Sequence, residues 1–469
     1  MPQRADQILS VAEVQAAEQA LIDAGTSVDA LMQVAGRGAA EWVWRIAAGR
    51  PVTVLCGPGN NGGDGYVIAE TLRERGLPVR VVAAMPPRTP AAINAAALFK
   101  GEVLGPDDAH PAGEVLVDCL FGSGLVRALA QPQAALLGAL AASHRHRIAI
   151  DVPSGVESDS GLALNPGLPA YDLTVALGAW KFAHVLMPAS AAMGALRLVG
   201  IGLAPVDGAA RMLARPSFTV PPADAHKYRR GFLGVVGGEM PGAAILAATA
   251  AQGAGAGYVK LLAPHAHAFP PADLVTDRGF LSEALGDGRL NALLVGPGLG
   301  RHADARERLV ECLASPVPAV LDADALVLLG ARLLAEREAP LIATPHEGEL
   351  IALERVFDCE GFGSKVDRAR GLARTSGMVI VAKGPDTVIA APDGRTICVP
   401  RATSWLSTAG TGDVLAGAIA SRLATGAAPF AAACEGVWLH GEAALACAAP
   451  FTAGQLAQAI APAYAAALA

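Results

Sequence analysis

Near the C-terminus, Ser407-Thr408-Ala409-Gly410-Thr411-Gly412-Asp413-Val414-Leu415-Ala416-Gly417 sets a glycine-threonine-glycine turn directly before an apolar, alanine-rich stretch. A turn of this kind opening a helix presents backbone N–H groups and the positive end of the helix dipole, a ready site for phosphate. Asp413 then stands where a substrate hydroxyl meets a transferring phosphoryl group, in place to take its proton. The chemistry this spacing suits is phosphoryl transfer to an alcohol, with a nucleotide as donor.

A second glycine loop lies in the first half. The apolar residues 52–56 lead into Gly57-Pro58-Gly59-Asn60-Asn61-Gly62-Gly63-Asp64-Gly65, and a helix is expected over residues 65–75. Glycine and asparagine allow positive φ and close backbone approach, so successive amides can nest around a diphosphate. Asp118-Cys119-Leu120-Phe121-Gly122-Ser123-Gly124-Leu125-Val126-Arg127 repeats the order of strand end and glycine loop. Asp151-Val152-Pro153-Ser154-Gly155 ends a further strand with a carboxylate and a hydroxyl. Alone, Asp118 or Asp151 reads equally as a turn or cap residue. Together with the glycine loop, three strand ends share one rim, where parallel sheets bind ligands. Hard oxygen donors there (Asn61, Asp118, Ser154) suit an alkali or alkaline-earth cation better than zinc. Asp64 reads equally as a helix cap, and Lys181 either as a phosphate contact closing the rim or as a solvated surface lysine.

In the second half, His226-Lys227-Tyr228-Arg229-Arg230-Gly231 precedes a strand ending in Gly237-Gly238, and Pro241-Gly242-Ala243-Ala244 opens an alanine-rich helix. Gly296-Pro297-Gly298-Leu299-Gly300, Asp322-Ala323-Asp324-Ala325-Leu326 and Thr344-Pro345-His346-Glu347-Gly348-Glu349 end three more strands. Lys383-Gly384-Pro385-Asp386-Thr387 makes a tight strand-to-strand connection. All of these are expected to converge on the rim that holds Asp413. Singly each is modest, and a lone His346 is more often a satisfied loop histidine than a catalytic group.

The elements that must position these residues follow from apolar periodicity. Strands are predicted at 52–56, 79–83, 115–119, 148–152 and 173–177, then at 233–236, 259–262, 292–295, 319–321, 341–343, 379–382 and 387–390. Helices between them imply parallel sheets covered on both faces. Ser10 with Glu13 three residues on is a capping-box pattern, so residues 10–45 read as helices. The pattern lapses over residues 202–224, giving a domain of residues 1–210, a linker of 211–223 and a domain of 224–469. At 469 residues the chain needs more than one core, and 52% hydrophobic against 4% aromatic content means cores of small side chains. A net charge of −7 speaks against nucleic acid as a partner. Seven scattered cysteines without a CxxC pair fit a reducing cytoplasm, with neither disulfides nor a zinc site. Residues 1–6 lack the apolar core of a signal peptide, and the uncharged run 240–259 reads as a buried helix, so no membrane contact is expected.

Residues 1–205 resemble the NAD(P)HX epimerase module of the bifunctional NAD(P)H-hydrate repair family. The motifs that carry the likeness are Leu31-Met32-Gln33-Val34-Ala35-Gly36, the 57–65 loop, residues 121–127, residues 151–155 and Lys181-Phe182-Ala183-His184. Residues 224–469 resemble that family's ribokinase-like dehydratase half on the ordered motifs above. Tyr228 departs from the glycine common after the His-Lys pair, and Gly231 recurs downstream. The resemblance implies an α/β fold of two domains, an N-terminal Rossmann-like and a C-terminal ribokinase-like three-layer sandwich. It implies that Asn60, Asn61, Gly62, Gly63, Asp64, Gly122, Ser123, Gly124, Leu125, Val126, Arg127 and Ala128 hold the dinucleotide. Asp151 would then stand at the hydrated nicotinamide as the acid–base group, and Asn61, Asp118 and Ser154 would bind potassium. In the second half it implies that Ala243, Gly298, His346 and Asp413 contact the hydrated dinucleotide. Lys383, Gly384, Pro385, Asp386, Thr387 and Gly412 would contact the adenine nucleotide, ADP with magnesium. The expected activities are epimerisation of R- and S-NAD(P)HX at carbon 6 and dehydration of the S epimer to NAD(P)H with release of AMP and phosphate, in a homo-oligomer. Two readings compete: a ribokinase-like kinase of a small alcohol such as a vitamin precursor, fused to a dinucleotide-binding domain, and a non-enzymatic role in which the first half is a nucleotide-sensing or scaffold module. The motif order across both halves disfavours the first, and Asp151 with the complete glycine loop disfavours the second.

Overall fold

Val52–Cys56 is buried along its whole length, as a central strand in a sheet covered on both faces must be. Its sheet runs in space Glu102–Leu104, Val79–Ala83, Val52–Cys56, Gly113–Cys119, His144–Ile150, Leu173–Leu177 and Ala195–Val199, all parallel. This is the first of two units, Met1–Arg211 and Met212–Ala469, in a computed structural model that describes residues 6–264, 270–359 and 361–468. Residues 1–5, on which the targeting expectation mostly rests, lie outside the described residues.

The strand order reverses between Val52–Cys56 and Gly113–Cys119, because the chain builds one edge first and then returns to build the other. Loops leaving neighbouring strands at such a point diverge, and a crevice opens at the strand C-termini. Helices Val28–Ala47, Asn60–Glu74 and Pro90–Leu98 cover one face of the sheet, joining Met32, Val43, Ile68 and Leu72 to Val54 and Val117. Helix Gln131–Ser143 covers the other, setting Leu137 and Leu140 against Leu55, Val82 and Leu116. Helix Val11–Asp23 begins as expected: the Ser10 hydroxyl accepts the Glu13 N–H at 3.3 Å while the Glu13 carboxylate accepts the Ser10 N–H at 2.7 Å. Val11 N–H donates to Asp159 at 2.9 Å and Leu9 N–H to the Trp180 carbonyl at 2.8 Å, which ties this helix to the segment carrying Lys181.

The helix after Val52–Cys56 starts at Asn60, earlier than the expected residue 65. The glycines of its loop serve closeness and not positive φ. A Cβ on Gly57 would collide with the Leu120 carbonyl and one on Gly62 with the Gly57 carbonyl, while one on Gly63 would stand 2.5 Å from the Met32 methyl. The loops leaving the two switch-point strands therefore touch backbone to backbone.

The second unit repeats the plan. Its sheet runs Thr396–Cys398, Val388–Ala390, Val379–Ala382, Leu341–Ala343, Ala319–Leu321, Ala292–Val295, Phe232–Val236, Tyr258–Leu262 and Val275–Asp277. The strands run in one direction except Val388–Ala390, which is antiparallel to both its neighbours, Val379–Ala382 and Thr396–Cys398. The order reverses between Phe232–Val236 and Ala292–Val295, and backbones meet again: Gly238 lies against the Leu299 carbonyl and Met240 N–H donates to Gly298 O at 3.0 Å. Small residues draw the covering helices in, with Gly417 of Thr411–Ala424 against the Ala247 backbone of Pro241–Gly253. The run 240–259 thus holds a helix whose Ala244, Ala247, Ala248 and Ala251 are buried, and among the described residues no helix is long and apolar enough to cross a membrane.

Besides the pair Gln7–Ile8 and Ala210–Met212, four short strands are unanticipated: Glu102–Leu104, Ala195–Val199, Val275–Asp277 and Thr396–Cys398. The first three are half-exposed edge strands and show no continuous apolar run. Ala210–Met212, at the start of the expected linker, is also a strand, pairing antiparallel with Gln7–Ile8.

The backbone contact at Gly57 yields a stability test. Gly57→Ala forces a methyl onto a carbonyl held by the neighbouring strand end, and overpacking of this kind costs about 1–3 kcal/mol or more. Urea unfolding followed by circular dichroism should show that loss; parental stability would mean that the Leu120 loop can retreat.

Candidate active sites

A cleft of about 840 Å³ opens over the switch point of the first unit. At its floor is Asp151, which follows strand His144–Ile150 with φ 66°, a conformation few non-glycine residues adopt. Its carboxylate accepts the Ser123 N–H at 2.9 Å and the ammonium of Lys181. Lys181 is 1% exposed, and its Nζ also donates to the Leu177 carbonyl at 2.6 Å. Burial alone would raise the Asp151 carboxyl, but Lys181 and the Ser123 bonds outweigh it and hold the pKa below the ordinary carboxylate value. His184 braces the pair: Nδ1 accepts the Lys181 N–H at 2.9 Å, so Nε2 carries the proton and donates to the Asp151 carbonyl at 2.7 Å. Burial drives its pKa down to about 4, which keeps it neutral.

Two more carboxyls face this pair. Asp64 is raised well above its ordinary value by burial, then by Asp151 and Glu18. Glu18, from helix Val11–Asp23, is raised by burial, with Lys181 opposing and Asp151 reinforcing. Beside them Asp118 is buried and accepts Ser154 Oγ–H at 2.7 Å, Ser154 N–H at 3.1 Å, Leu120 N–H at 3.1 Å and Tyr171 O–H at 2.5 Å. Both ends of the Asn61 amide are buried without a hydrogen-bond partner among the described residues. Asn61 and Asp151 flank Gly122, where a Cβ would stand 3.2 Å from Asn61 Cγ and 3.0 Å from Asp151 Oδ2.

Of the expected dinucleotide residues, the cleft is lined by Asn60, Asn61, Asp64, Gly122, Ser123, Gly124, Leu125, Val126, Arg127, Ala128 and Asp151. Gly62 and Gly63 do not line it, because they lie buried where the helix packs on Gly57 and Met32. Asp64 is not a helix cap either: Gly59 takes that position and Asp64 sits inside the helix. The surface reading of Lys181 is wrong, since its charge is neutralised by Asp151 at the cleft floor. Glu18 was missed; residues 11, 14, 15, 18 and 22 line the cleft at helical spacing, and that stripe was the available signal.

In the second unit Gly410, with φ 91°, is the cap from which helix Thr411–Ala424 starts. Val414 N–H donates to Gly410 O at 3.2 Å, so the N–H groups of Gly412 and Asp413 stand ahead of the first helical bond. Lys383 reaches over this turn, 3.5 Å from where a Cβ on Gly412 would be, and pairs with Asp322 at 2.6 Å. Asp322 also accepts Thr344 Oγ1–H at 2.6 Å. Burial, with Asp322 and Asp324 reinforcing and Lys383 opposing, pushes the Asp413 carboxyl up to about 7. Asp324 accepts Gly300 N–H at 3.0 Å and pairs with Arg301 at 2.7 Å, joining the loop of Gly298 to the same rim. Ala243 N–H donates to Met240 O at 3.3 Å in the first turn of its helix, next to Gly298.

His346 caps helix Glu347–Val356, its Nδ1 accepting Gly348 N–H at 3.0 Å while its side chain stays 62% exposed. Lys383 N–H donates to Pro345 O at 2.8 Å and so brings the 383–387 connection beside it. Within that connection Gly384 and Pro385 are exposed, but the Asp386 carboxylate is engaged by Lys365 at 2.6 Å and the Thr387 hydroxyl donates to Gly384 O at 2.8 Å. The His226–Gly231 motif does not reach the rim. It leads into the beginning of Phe232–Val236, at the opposite end of the sheet, where Lys227 Nζ lies 4.7 Å from the Tyr258 ring centroid and 5.0 Å from that of Tyr228. Lys365, which holds Asp386, is a rim residue that no motif indicated, and Asp322 and Thr344, expected only as members of strand-end motifs, prove to anchor Lys383.

Residues 28–183 match the family described as YjeF-related protein N-terminus, and residues 233–465 match NAD(P)H-hydrate dehydratase. The chain is 36% identical over 482 residues to the bifunctional NAD(P)H-hydrate repair enzyme Nnr of Gloeobacter violaceus, covering 93% of this chain and 92% of that one. It is 33% identical over 461 residues to the enzyme of the same name from Moorella thermoacetica, covering 88% and 87%. Among solved structures, the ADP/ATP-dependent NAD(P)H-hydrate dehydratase of Bacillus subtilis co-crystallised with ATP and Mg2+ aligns with 54% of this chain and 95% of its own, at 28% identity and a TM-score of 0.46. With both halves matched in order and relatives aligned nearly end to end, the chain belongs to the bifunctional NAD(P)H-hydrate repair enzymes.

Proposed function

We propose that residues 1–210 epimerise R- and S-NAD(P)HX in the Asp151 cleft, that residues 224–469 dehydrate the S epimer at the Asp413 turn, and that 211–223 links them. The observation that carries this reading is Asp413 itself, a carboxyl raised to about 7 at the start of its helix, beside the N–H groups of the first turn and a lysine. A general base works best when its pKa lies near the working pH.

In the dehydratase half, Asp413 takes the proton of the carbon 6 hydroxyl as its oxygen bonds the transferring phosphoryl group. The N–H groups of Gly412 and Asp413, with Lys383 above them, stabilise the charge on that group. With ADP as donor the leaving group is AMP. The carbon–oxygen bond then breaks as the ring nitrogen lone pair moves in, phosphate departs, carbon 5 loses a proton, and NAD(P)H results. Phosphate is a far better leaving group than hydroxide, which is why a kinase-like site serves a dehydration. Asp322 and Asp324 are engaged by Lys383 and Arg301, so magnesium would ride on the nucleotide phosphates and not in a protein cage. Ala243, Gly298 and His346 are assigned to the hydrated dinucleotide, and Gly384 and Pro385 to the nucleotide, with Asp386 and Thr387 shaping their turn.

In the epimerase half, the Asn61 amide oxygen, buried without a partner among the described residues, and the oxygens of the Asp118–Ser154 pair suit a potassium ion, which would help hold the diphosphate. Asp151, kept ionised by Lys181, acts at the hydrated ring. A cytoplasmic setting agrees with the seven free cysteines, and self-association with apolar side chains such as Phe280 and Phe362 left exposed.

Asp413→Asn keeps the shape of the turn and removes the base, so NADH formation from the S epimer should fall about 10²–10⁴-fold while R-to-S interconversion persists. In the parent, log kcat for dehydration should rise with pH and level off above about 7, because the base must be deprotonated. Near-normal NADH formation by Asp413→Asn would refute this mechanism, and joint loss of both activities in folded protein would refute two separate sites. For the cation, Asp118→Ala should lower epimerisation, abolish its response to potassium and leave dehydration near the parental rate. A folded variant that epimerises normally would show Asp118 to be purely structural.

A further inference from the structure

Helix Val11–Asp23 turns one face to the epimerase cleft through Val11, Val14, Gln15, Glu18 and Ile22. Glu18 is the only charged residue on that face. The other acids of the helix have local work: Glu13 closes the capping box and Asp23 accepts Gln19 Nε2–H at 2.8 Å. No hydrogen bond or ion pair engages Glu18 among the described residues. The charged groups facing it are Lys181 and Asp151, with Asp64 coupled to all three.

We propose that Glu18 is a second catalytic acid–base residue of the epimerase, protonating the ring nitrogen of the hydrated nicotinamide while Asp151 takes the proton of the carbon 6 hydroxyl. The inference rests on the epimerase reading above. The Asp151 carboxylate removes the hydroxyl proton, the bond between carbon 6 and the ring nitrogen breaks with its electron pair going to nitrogen, and Glu18 supplies that nitrogen's proton. The product is an open-chain aldehyde, and rotation about the bond next to its carbonyl presents the other face. On closure nitrogen attacks that face, its proton returns to Glu18, and Asp151 returns its proton to oxygen. Each group ends as it began, so the cycle needs one carboxylate and one carboxylic acid at the start.

The surroundings supply that division. Lys181 sits on Asp151, fixing the charge there. Two neighbouring carboxyls do not both ionise readily, and Glu18, half-buried and without a counter-ion in contact, keeps its proton to higher pH. A carboxyl serving only to solvate the helix would sit away from the cleft.

The test uses the full-length protein with purified R epimer, following conversion to S and, in parallel, dehydration of S. Glu18→Gln should slow epimerisation about 10²–10⁴-fold, the range for a lost acid–base group, with dehydration unchanged. The pH profile separates chemistry from packing. In the parent, the epimerisation rate should fall on the acid side as Asp151 protonates and on the alkaline side as Glu18 ionises, and Glu18→Gln should lose the alkaline limb. Glu18→Asp, which keeps the acid, should retain that limb at a reduced rate. A parental rate in Glu18→Gln, or a slowed rate with the alkaline limb intact, overturns the role of Glu18. Failure of the parent itself to interconvert the epimers would instead overturn the epimerase reading.

Discussion

A lysine that loses its water must gain a carboxylate in the same place, and both halves of this chain are organised around such a pair. Lys181 meets Asp151 in the first unit and Lys383 meets Asp322 in the second. Each aspartate directly follows a parallel strand of its sheet, next to the glycine loops of the switch point. Removing one partner of a buried pair costs about 3–5 kcal/mol, because the other charge is left uncompensated. The pair thus fixes the rim in one arrangement. Burial makes the neighbouring carboxyls (Glu18 and Asp64 in one unit, Asp413 in the other) keep their protons to higher pH, and the lysines, held by their own aspartates, oppose this only in part.

The two switch points solve one problem in the same way. A dinucleotide or a phosphoryl group needs backbone N–H groups at close range, and a Cβ would stand in the way. In the first unit Gly57 lies on Leu120, and in the second Gly238 lies on Leu299. The loops support each other through main chain, which side-chain fluctuation does not disturb. That rigidity favours preorganised electrostatic stabilisation over induced closure.

Much of this was legible in the sequence, because strand followed by glycine loop is a local signal. The central strands, the Ser10 cap and the placing of Asp151 and Asp413 at strand or helix ends all follow from residues adjacent in the chain. What was missed depends on distance or direction. Lys181 looks like an ordinary surface residue until Asp151, thirty positions away, is seen to fold onto it. Glu18 acquires meaning only when its helix docks by Val11 on Asp159. The His226–Gly231 motif was assigned to the wrong end of the sheet, since a segment that enters a strand lies opposite the rim that strands leave. The helix at Asn60 began early because neighbours at Met32 and Leu120 override the poor helix propensity of asparagine and glycine.

The carboxyls left without counter-charge also set a proton balance for folding. Asp413 has an ordinary value of 3.8 when unfolded and about 7 when folded, and Glu18 and Asp64 move the same way. Between those limits the folded chain binds more protons than the unfolded one, so their contribution to stability declines as pH rises through the window. Asp151 acts in the opposite sense, its contribution being lost only as pH falls below the ordinary carboxylate range. At neutral pH the poised acids therefore draw on the free energy of folding, while the buried neutral His184, pulled down to about 4, withdraws its share as pH falls through the ordinary histidine range, so the two kinds of group bound the working window from opposite sides.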